Sequence, residues 1–459
     1  MTAAEVPSRA LVVGLAVTGQ AVVRQLQRRG HVVTVADDRP TDHARGFAAG
    51  AGLELVESPP PGAWEALVRT QDVVLPSPGV PAHHPLFAAA AEAGVPVWSE
   101  FELAARWSDT PIAAITGTNG KTTVTVLVTE MLERSGVKTL AAGNTDLPLV
   151  DVLDRNLDVV VVEASSFRLQ LTETFSPQVG TWLNLAEDHL DWHPSMADYT
   201  AAKAKIWANQ GPDDIAIANA DDAVVAEQGR RARAAVQWFS ITGPVAGWWW
   251  DRQRNTLVGP TGSFVDVTSL TRRLPHDIAN ALAATATAVA AGATVSACAA
   301  VLAEFHGLAH RVALVAESDG VRWFDDSKAT TPASVLAAVG GFASVVLIAG
   351  GRNKGLDLSV LRSASPPVRA VVAIGDAAAE VQAAFQDTDV EVRVAASMAD
   401  AVAAADELSR SGDAVLLSPG CASFDWYSDY TARGDDFARL VLEYTGAAPA
   451  PVLPTGGTH

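Results

Sequence analysis

The sequence predicts an α/β protein of three domains whose sheets are mainly parallel. Three observations carry this reading. At 459 residues the chain exceeds what one hydrophobic core organises, and the usual domain size makes about three units the expectation. Short apolar runs alternate with helical stretches, the pattern that packs helices on the faces of a parallel sheet. At 111–134 an apolar strand, a glycine-containing loop and an apolar-periodic helix follow one another directly.

The elements are expected as follows. RALVV at 9–13 leads through the turn GLAVTG at 14–19 to a helix ending near Gly30, and HVVTVA at 31–36 is a second strand. DVVL at 72–75 and VPVW at 95–98 are further strands. A second α/β unit opens with PIAAI at 111–115, the loop TGTNG and a helix from Lys121 to about Arg134, with strands at 157–164, 179–185 and 214–220. The stretch 236–270 is expected to be poor in strands, with Trp248, Trp249 and Trp250 on a hairpin edge. From Ala281 to Ala303 there is no charge, long enough in principle to span a bilayer. Its Ala-rich content lacks the Leu, Ile and Phe that drive insertion, so two helices broken at Gly292 are expected instead. A third unit starts near His310, with a hairpin from RVALVAE and VRWFDD and strands at 344–351, 369–376 and 413–420. The Pro- and Gly-rich end from Ala447 onward is expected to be an unstructured tail.

Composition excludes several functions. Hydrophobic residues at 49% with charged residues at 19% describe a chain that buries a core. A formal net charge of −19 repels a polyanionic duplex, so nucleic acid is not an expected partner. With only Cys298 and Cys421, and no basic start followed by an apolar run, a cytoplasmic protein is expected rather than a secreted, disulfide-stapled one.

The sharpest chemical signal is TGTNGKTT at 116–123. Backbone N–H groups of Gly117, Thr118, Asn119 and Gly120, with the positive end of the following helix, can wrap a phosphate chain. Lys121 supplies a point charge, and Thr122, followed by Thr123, a hydroxyl for Mg²⁺. The strict phosphate-loop pattern fails at Ile115, where its first glycine would stand; a turn that merely caps a helix is the plain alternative.

The lysines are the second signal. Only six of the 33 basic residues are lysines: Lys121, Lys138, Lys203, Lys205, Lys328 and Lys354. Where arginine supplies most surface cations, a lysine marks a place that needs a compact or reactive amine. Lys203 and Lys205 stand two apart on one expected helix, so only one can face a site. Glu163 ends VVVVE, while Asp188, His189 and Asp191 follow TWLNL. Mg²⁺ takes oxygen ligands, which makes Glu163 with Thr122 a candidate set; a salt bridge or helix cap is the alternative for each acid. In GLAVTG, Ala16 replaces the central glycine of a dinucleotide fingerprint, while Asp37 is spaced to reach a ribose hydroxyl.

Taken together, GTNGKTT, EASSFRLQL, NLAEDHLDWH with YTAAKAKI, HR at 310–311, DDSKATT, AGGRNKG and SPGCASFDWY make the chain resemble the Mur ligase family from about residue 9 to 440. Within that family it looks most like the branch that adds D-glutamate. The resemblance implies an N-terminal Rossmann-like domain for a uridine nucleotide (1–108), a central P-loop ATPase with a mainly parallel sheet (109–308), a C-terminal Rossmann-like domain (309–447) and a tail (448–459). It implies an ATP-dependent ligase of bacterial cytoplasmic peptidoglycan precursor synthesis, acting as a monomer without membrane insertion. D-glutamate would be joined to UDP-N-acetylmuramoyl-L-alanine through an acyl phosphate and a tetrahedral intermediate.

By motif position, Lys121, Lys203, His189 and Lys354 would be catalytic. Asn280, Arg311 and Asp326 would join the loop around ATP. Two Mg²⁺ would be held by Thr122, Glu163, His189 and Lys203, the last as a carbamate formed with CO₂. Val17, Thr18, Asp37, Arg39, Ser77, Gly79 and Asn144 would line the uridine-substrate site, and Lys328, Thr330, Lys354, Ser423, Phe424 and Tyr430 the D-glutamate site. Two positions depart from the family pattern: Asp277 where Asn is common, and Tyr430 where Phe is common. Other readings remain open from sequence: a sibling ligase taking another amino acid, an oxidoreductase using GLAVTG for a nicotinamide cofactor, and a non-catalytic nucleotide switch.

Overall fold

The computed structural model describes residues 8–190 and 192–448, so Asp191 and the tail expected from 449 onward lie outside the described residues. Contacts divide the chain into two units. One takes in the described residues up to Leu185 with Trp192–Asp266 and Asn280–Leu302; the other takes in 186–190, Val267–Ala279 and the described residues from Ala303.

The first unit holds two sheets. Strands β1 (Arg9–Val13), β2 (Val32–Asp37), β3 (Leu55–Glu57) and β4 (Val73–Pro76) form an all-parallel sheet in the order β3-β2-β1-β4. The expected strand at 95–98 is reduced to one bridge, Val74 to Val97, because Pro96 has no N–H to continue a ladder.

The second sheet comprises β5 (Ile112–Thr116), β6 (Thr139–Gly143), β7 (Val159–Glu163), β8 (Val179–Trp182), β9 (Ile215–Asn219), β10 (Ala235–Ser240), β11 (Gly247–Asp251), β12 (Thr256–Gly259) and β13 (Gly262–Asp266). Its order is β13-β12-β11-β10-β9-β8-β5-β7-β6, parallel except where β12 meets β11 and β13. β5 lies between β7 and β8, and all five of its residues are buried, as the unbroken apolar run PIAAI requires of a doubly covered strand. One apolar cluster runs from Val12 and Val35 through Phe101 to Val160 and Trp182.

The expectation of few strands at 236–270 is wrong: β10 to β13 occupy it. These strands are four to six residues long, and a row of tryptophans shows no alternation from which a strand period could be read. The tryptophans do lie on a hairpin, β11–β12. Trp248 is buried against Phe264, with ring centroids 5.6 Å apart.

The Ala-rich segment forms two helices, Pro275–Ala290 and Val295–Glu304, separated at Gly292, whose φ of +108° suits a residue without a Cβ. Among the described residues no helix is long and apolar enough to cross a membrane.

The second unit carries one six-stranded sheet: β14 (Ala313–Ser318), β15 (Val321–Asp325), β16 (Val345–Gly350), β17 (Val368–Ile374), β18 (Glu391–Val394) and β19 (Ala414–Gly420), in the order β14-β15-β19-β16-β17-β18. Only the β14–β15 hairpin is antiparallel. Separate apolar clusters cover its two faces, which is why β16 and β19 read as continuous Val, Leu and Ile.

Candidate functional site

In all three sheets the unusual residues sit at the carboxyl ends of parallel strands, where open α/β sheets bind ligands. In the nine-stranded sheet, neighbouring strands β6, β7, β5 and β8 are followed by or end in Asn144, Glu163, the loop 117–120 and Asn184. Gly120 caps the helix Lys121–Arg134 with φ +86°, and a Cβ there would stand 2.6 Å from Asn280 Oδ1, so the loop needs glycine and Asn280 lies against it. Asn184 organises the loop from below: its Oδ1 accepts from Thr118 N at 3.1 Å and Asn119 N at 2.9 Å, and its Nδ2 donates to Asn119 O. The sequence reading missed Asn184, although its place after a strand in NLAEDH was a visible signal.

Two lysines converge on this loop. Lys121 Nζ donates to Gly117 O and Thr118 O, both at 2.9 Å, and Lys203 Nζ donates to Gly117 O at 2.7 Å. Lys203 is buried on the helix Met196–Ala208, 4.6 Å over the Tyr199 ring, whose hydroxyl reaches Thr118 Oγ1 at 3.2 Å. Lys205 points elsewhere, to the carbonyls of Gln170 and Thr172. Thr122 and Thr123 lie in the first turn of the helix that the loop opens.

Glu163 is buried. Its Oε1 accepts from Asn144 Nδ2 at 2.8 Å, and its Oε2 has no hydrogen-bond partner among the described residues. An unpaired buried carboxylate oxygen is costly unless a cation or donor meets it. Asn144 also accepts from Arg168, a buried arginine to which the sequence reading gave no role. Arg168 Nε pairs with Glu100 Oε1 at 2.9 Å; burial raises the Glu100 carboxyl, and the Arg168 charge opposes this.

In the first sheet Ser77 Oγ donates to Gly14 O at 2.7 Å, and Gly19 packs so close to Gly14 that a side chain would collide with its carbonyl. Asp37 ends β2, but its oxygens are engaged: Oδ2 accepts from Leu15 N at 2.8 Å and Oδ1 from Arg39 N at 2.9 Å, so it braces the turn. Thr18 contacts Arg168 Nη2 at 3.3 Å, whereas Val17, Arg39 and Gly79 are exposed.

In the second unit, neighbouring strands β15, β19 and β16 are followed by Asp326 with Lys328 and Thr330, by Ser423 with Phe424, and by Lys354. The loops of Lys354 and Ser423 are joined by paired backbone bonds between Arg352 and Ala422. Lys354 is exposed, Phe424 exposed and Ser423 buried. Lys328 Nζ lies 3.7 Å over the Tyr430 ring, so a tyrosine here keeps the aromatic face that a cation needs. Asp326 is buried, and burial raises its carboxyl to about 7 against the opposing bond from Ser418 Oγ at 2.7 Å and the nearby Arg311 charge.

His310 bonds Asp325 at 2.6 Å; burial would lower the imidazole, but the Asp325 bond and the surrounding Asp charges raise it. Asp277 accepts from Arg272 Nε at 2.9 Å and Leu274 N at 3.1 Å, an ion pair that an asparagine would not form. Arg433, also missed, is buried and ties Ser327 to the Cys421 carbonyl; burial lowers its guanidinium to about 10. His189 has φ +57°, and its Nε2 lies 3.4 Å from Asp188 Oδ2.

The fold and the loop define an α/β protein with a glycine loop opening a helix at the carboxyl end of a central parallel strand. Three family models match successive segments: the MurD-like N-terminal domain of Mur ligases at 8–99, the Mur ligase middle domain at 115–288, and the Mur ligase glutamate ligase domain at 310–421. The chain belongs to the Mur ligase family and has its three-domain fold.

It is 41% identical to the UDP-N-acetylmuramoylalanine--D-glutamate ligase of Desulfosudis oleivorans, across 94% of this chain and 96% of that one. It is 44% identical to the protein of the same name from Frankia casuarinae, across 95% and 94%. Among solved structures, a pseudomurein peptide ligase type C from Methanothermus fervidus matches with a TM-score of 0.61 at 17% identity, covering 95% of this chain and 99% of that one. MurF from Acinetobacter baumannii matches with 0.60 at 19%, covering 94% and 90%; both share the fold.

Proposed function

We infer that this chain is an ATP-dependent ligase that joins D-glutamate to UDP-N-acetylmuramoyl-L-alanine in peptidoglycan precursor synthesis, releasing ADP and phosphate. The observation that carries this reading is the end-to-end likeness, at 41% and 44% identity, to two proteins named for that reaction. The matched segments support division near residues 108 and 308, and we propose a cytoplasmic monomer.

An amide does not form spontaneously from a carboxylate and an amine in water. The alanyl carboxylate oxygen therefore forms a bond to the γ-phosphorus of ATP as the bond to ADP breaks. The D-glutamate amine attacks the resulting acyl phosphate, and the tetrahedral intermediate expels phosphate and loses a proton. The substrates bring several negative charges to a protein of net charge −19, so local cations and loop N–H groups must carry the catalysis. Lys121 and the loop at the helix N-terminus are suited to the ATP phosphates, with Asn280, Arg311 and Asp326 assigned to the rest of the nucleotide. Lys328, Thr330, Lys354, Ser423, Phe424 and Tyr430 are assigned to D-glutamate. Val17, Thr18, Asp37, Arg39, Ser77, Gly79 and Asn144 are assigned to the uridine substrate.

The residues fit Mg²⁺. Among the described residues no three His, Cys, Asp or Glu side chains form a metal cage, and Mg²⁺ is commonly held by one or two protein oxygens together with substrate phosphates. The unpartnered Glu163 Oε2 and the Thr122 hydroxyl are such oxygens. His189 and a carbamate on Lys203 would complete the set, and the metal would neutralise phosphoryl charge. Lys203, buried beside the loop, is where an anionic modification would act on that charge.

The test is phosphate release with ATP, UDP-N-acetylmuramoyl-L-alanine and a panel of amino acids. Release with D-glutamate alone is expected. Preference for L-alanine or a diamino acid would replace this reading with a sibling ligase, and no release with any amino acid would remove it.

A further inference from the structure

A buried polar chain in the first unit leads from the N-terminal turn to Glu163. Arg168 lies on the helix Ser166–Gln170, which begins three residues after Glu163. The residue is 6% exposed, and its guanidinium makes three sets of contacts: Nε to Glu100 Oε1 at 2.9 Å, Nη2 to Thr18 Oγ1 at 3.3 Å, and Nη1 to Asn144 Oδ1 at 2.9 Å and Ser165 Oγ at 3.4 Å. Asn144 in turn donates Nδ2 to Glu163 Oε1 at 2.8 Å.

A guanidinium has no acceptor and a carboxylate no donor, so the orientation of the Asn144 amide is forced from both ends. With Oδ1 committed to Arg168, Nδ2 must face Glu163. That holds one carboxylate oxygen and leaves Oε2 buried with no hydrogen-bond partner among the described residues.

We propose that Arg168 is a positioning residue that couples the uridine-substrate site to the metal-binding carboxylate: it senses Thr18 at one end and, through Asn144, sets the orientation of Glu163 at the other. This rests on the functional reading above for the roles of Thr18 and Glu163. A purely structural Arg168–Glu100 pair would need only Nε; the fork of the guanidinium carries the link, and a lysine cannot reproduce it.

The experiment compares the wild-type protein with Arg168→Lys, Asn144→Ala and the double variant, with Arg168→Met as a charge-removing control. Three quantities are read: the Mg²⁺ concentration for half-maximal turnover, the calorimetric Kd for UDP-N-acetylmuramoyl-L-alanine without Mg²⁺, and the melting temperature. Groups that orient a metal ligand are worth roughly 10–100-fold in metal affinity. Arg168→Lys is expected to raise both the Mg²⁺ requirement and the Kd about 10-fold, with the KM for D-glutamate unchanged and melting close to wild type. The double variant should need no more Mg²⁺ than the worse single variant, since both break one path. A lowered melting temperature with both constants at wild-type values, or effects that multiply in the double variant, would overturn the proposal. If wild-type protein binds the uridine substrate but makes no product with D-glutamate, the functional reading fails, and the calorimetric Kd alone decides the link to Thr18.

Discussion

The ammonium nitrogens of Lys121 and Lys203 share one acceptor, the Gly117 carbonyl, at 2.9 and 2.7 Å. One lysine opens the helix after the phosphate loop and the other is buried on Met196–Ala208, so two distant segments place positive charge on one peptide group. Like charges this close repel, and an anion between or upon them relieves the repulsion. In the proposed function a nucleotide phosphate would do so for Lys121, and a carbamate would do so for Lys203 by reversing its sign.

Lys121→Ala is expected to lower turnover by about 10²–10³-fold or more, the scale for losing a preorganised electrostatic group. Uridine-substrate binding should stay within about 2-fold of wild type, because Lys121 is assigned to the ATP loop, where its Nζ bonds the Gly117 and Thr118 carbonyls, and not to the uridine site. Calorimetry and steady-state kinetics on one preparation check both; wild-type turnover would refute the assignment.

Lys203→Ala is expected to be slow and partly rescued by added formate or acetate, which can supply the missing anion. A rate that rises and saturates with added carboxylate is the expected result. No rescue at any concentration, in a variant with wild-type melting, would argue against a carbamate.

Gly120→Ala is expected to raise the KM for ATP and lower the melting temperature. The backbone sits at φ +86°, which costs a non-glycine residue about 1 kcal/mol, and the new Cβ would press Asn280 Oδ1 at 2.6 Å. Gly136→Ala, also at positive φ but with nothing within 4 Å, is the control: its melting should fall while the KM for ATP stays put.

Asp326 makes stability depend on pH. Its folded carboxyl is raised to about 7 from an ordinary 3.8, so the folded protein holds a proton that the unfolded chain has released. The resulting stabilisation is complete below about pH 4 and is lost as pH rises through about 7. Relative to wild type, Asp326→Asn should therefore gain in melting temperature between pH 5 and 8, with the difference levelling above about pH 7. A difference independent of pH would show that the carboxyl is ionised throughout.

The strand–loop–helix at 112–134, the alternation behind the parallel sheets and the two Ala-rich helices were legible because each is written in local periodicity or in one glycine. Spacing also established that Lys203 and Lys205 face different ways. What no local pattern contains is the identity of neighbours far along the chain. VPVW reads as a strand until Pro96 leaves it only one bridge, and the tryptophan row shows no strand alternation even though its partner strands are its neighbours in the chain.

Sequence by itself therefore determined the fold class and the strand, glycine loop and helix at 112–134, since these follow from steric and hydrophobic preferences acting over a few residues. The tertiary structure decided which lysine turns inward, that Asp37 braces a turn, and that Arg168, Asn184 and Arg433 tie the loops together. Those facts depend on burial and on hydrogen-bond partners as much as 150 residues away, and they exist only once each unit has folded.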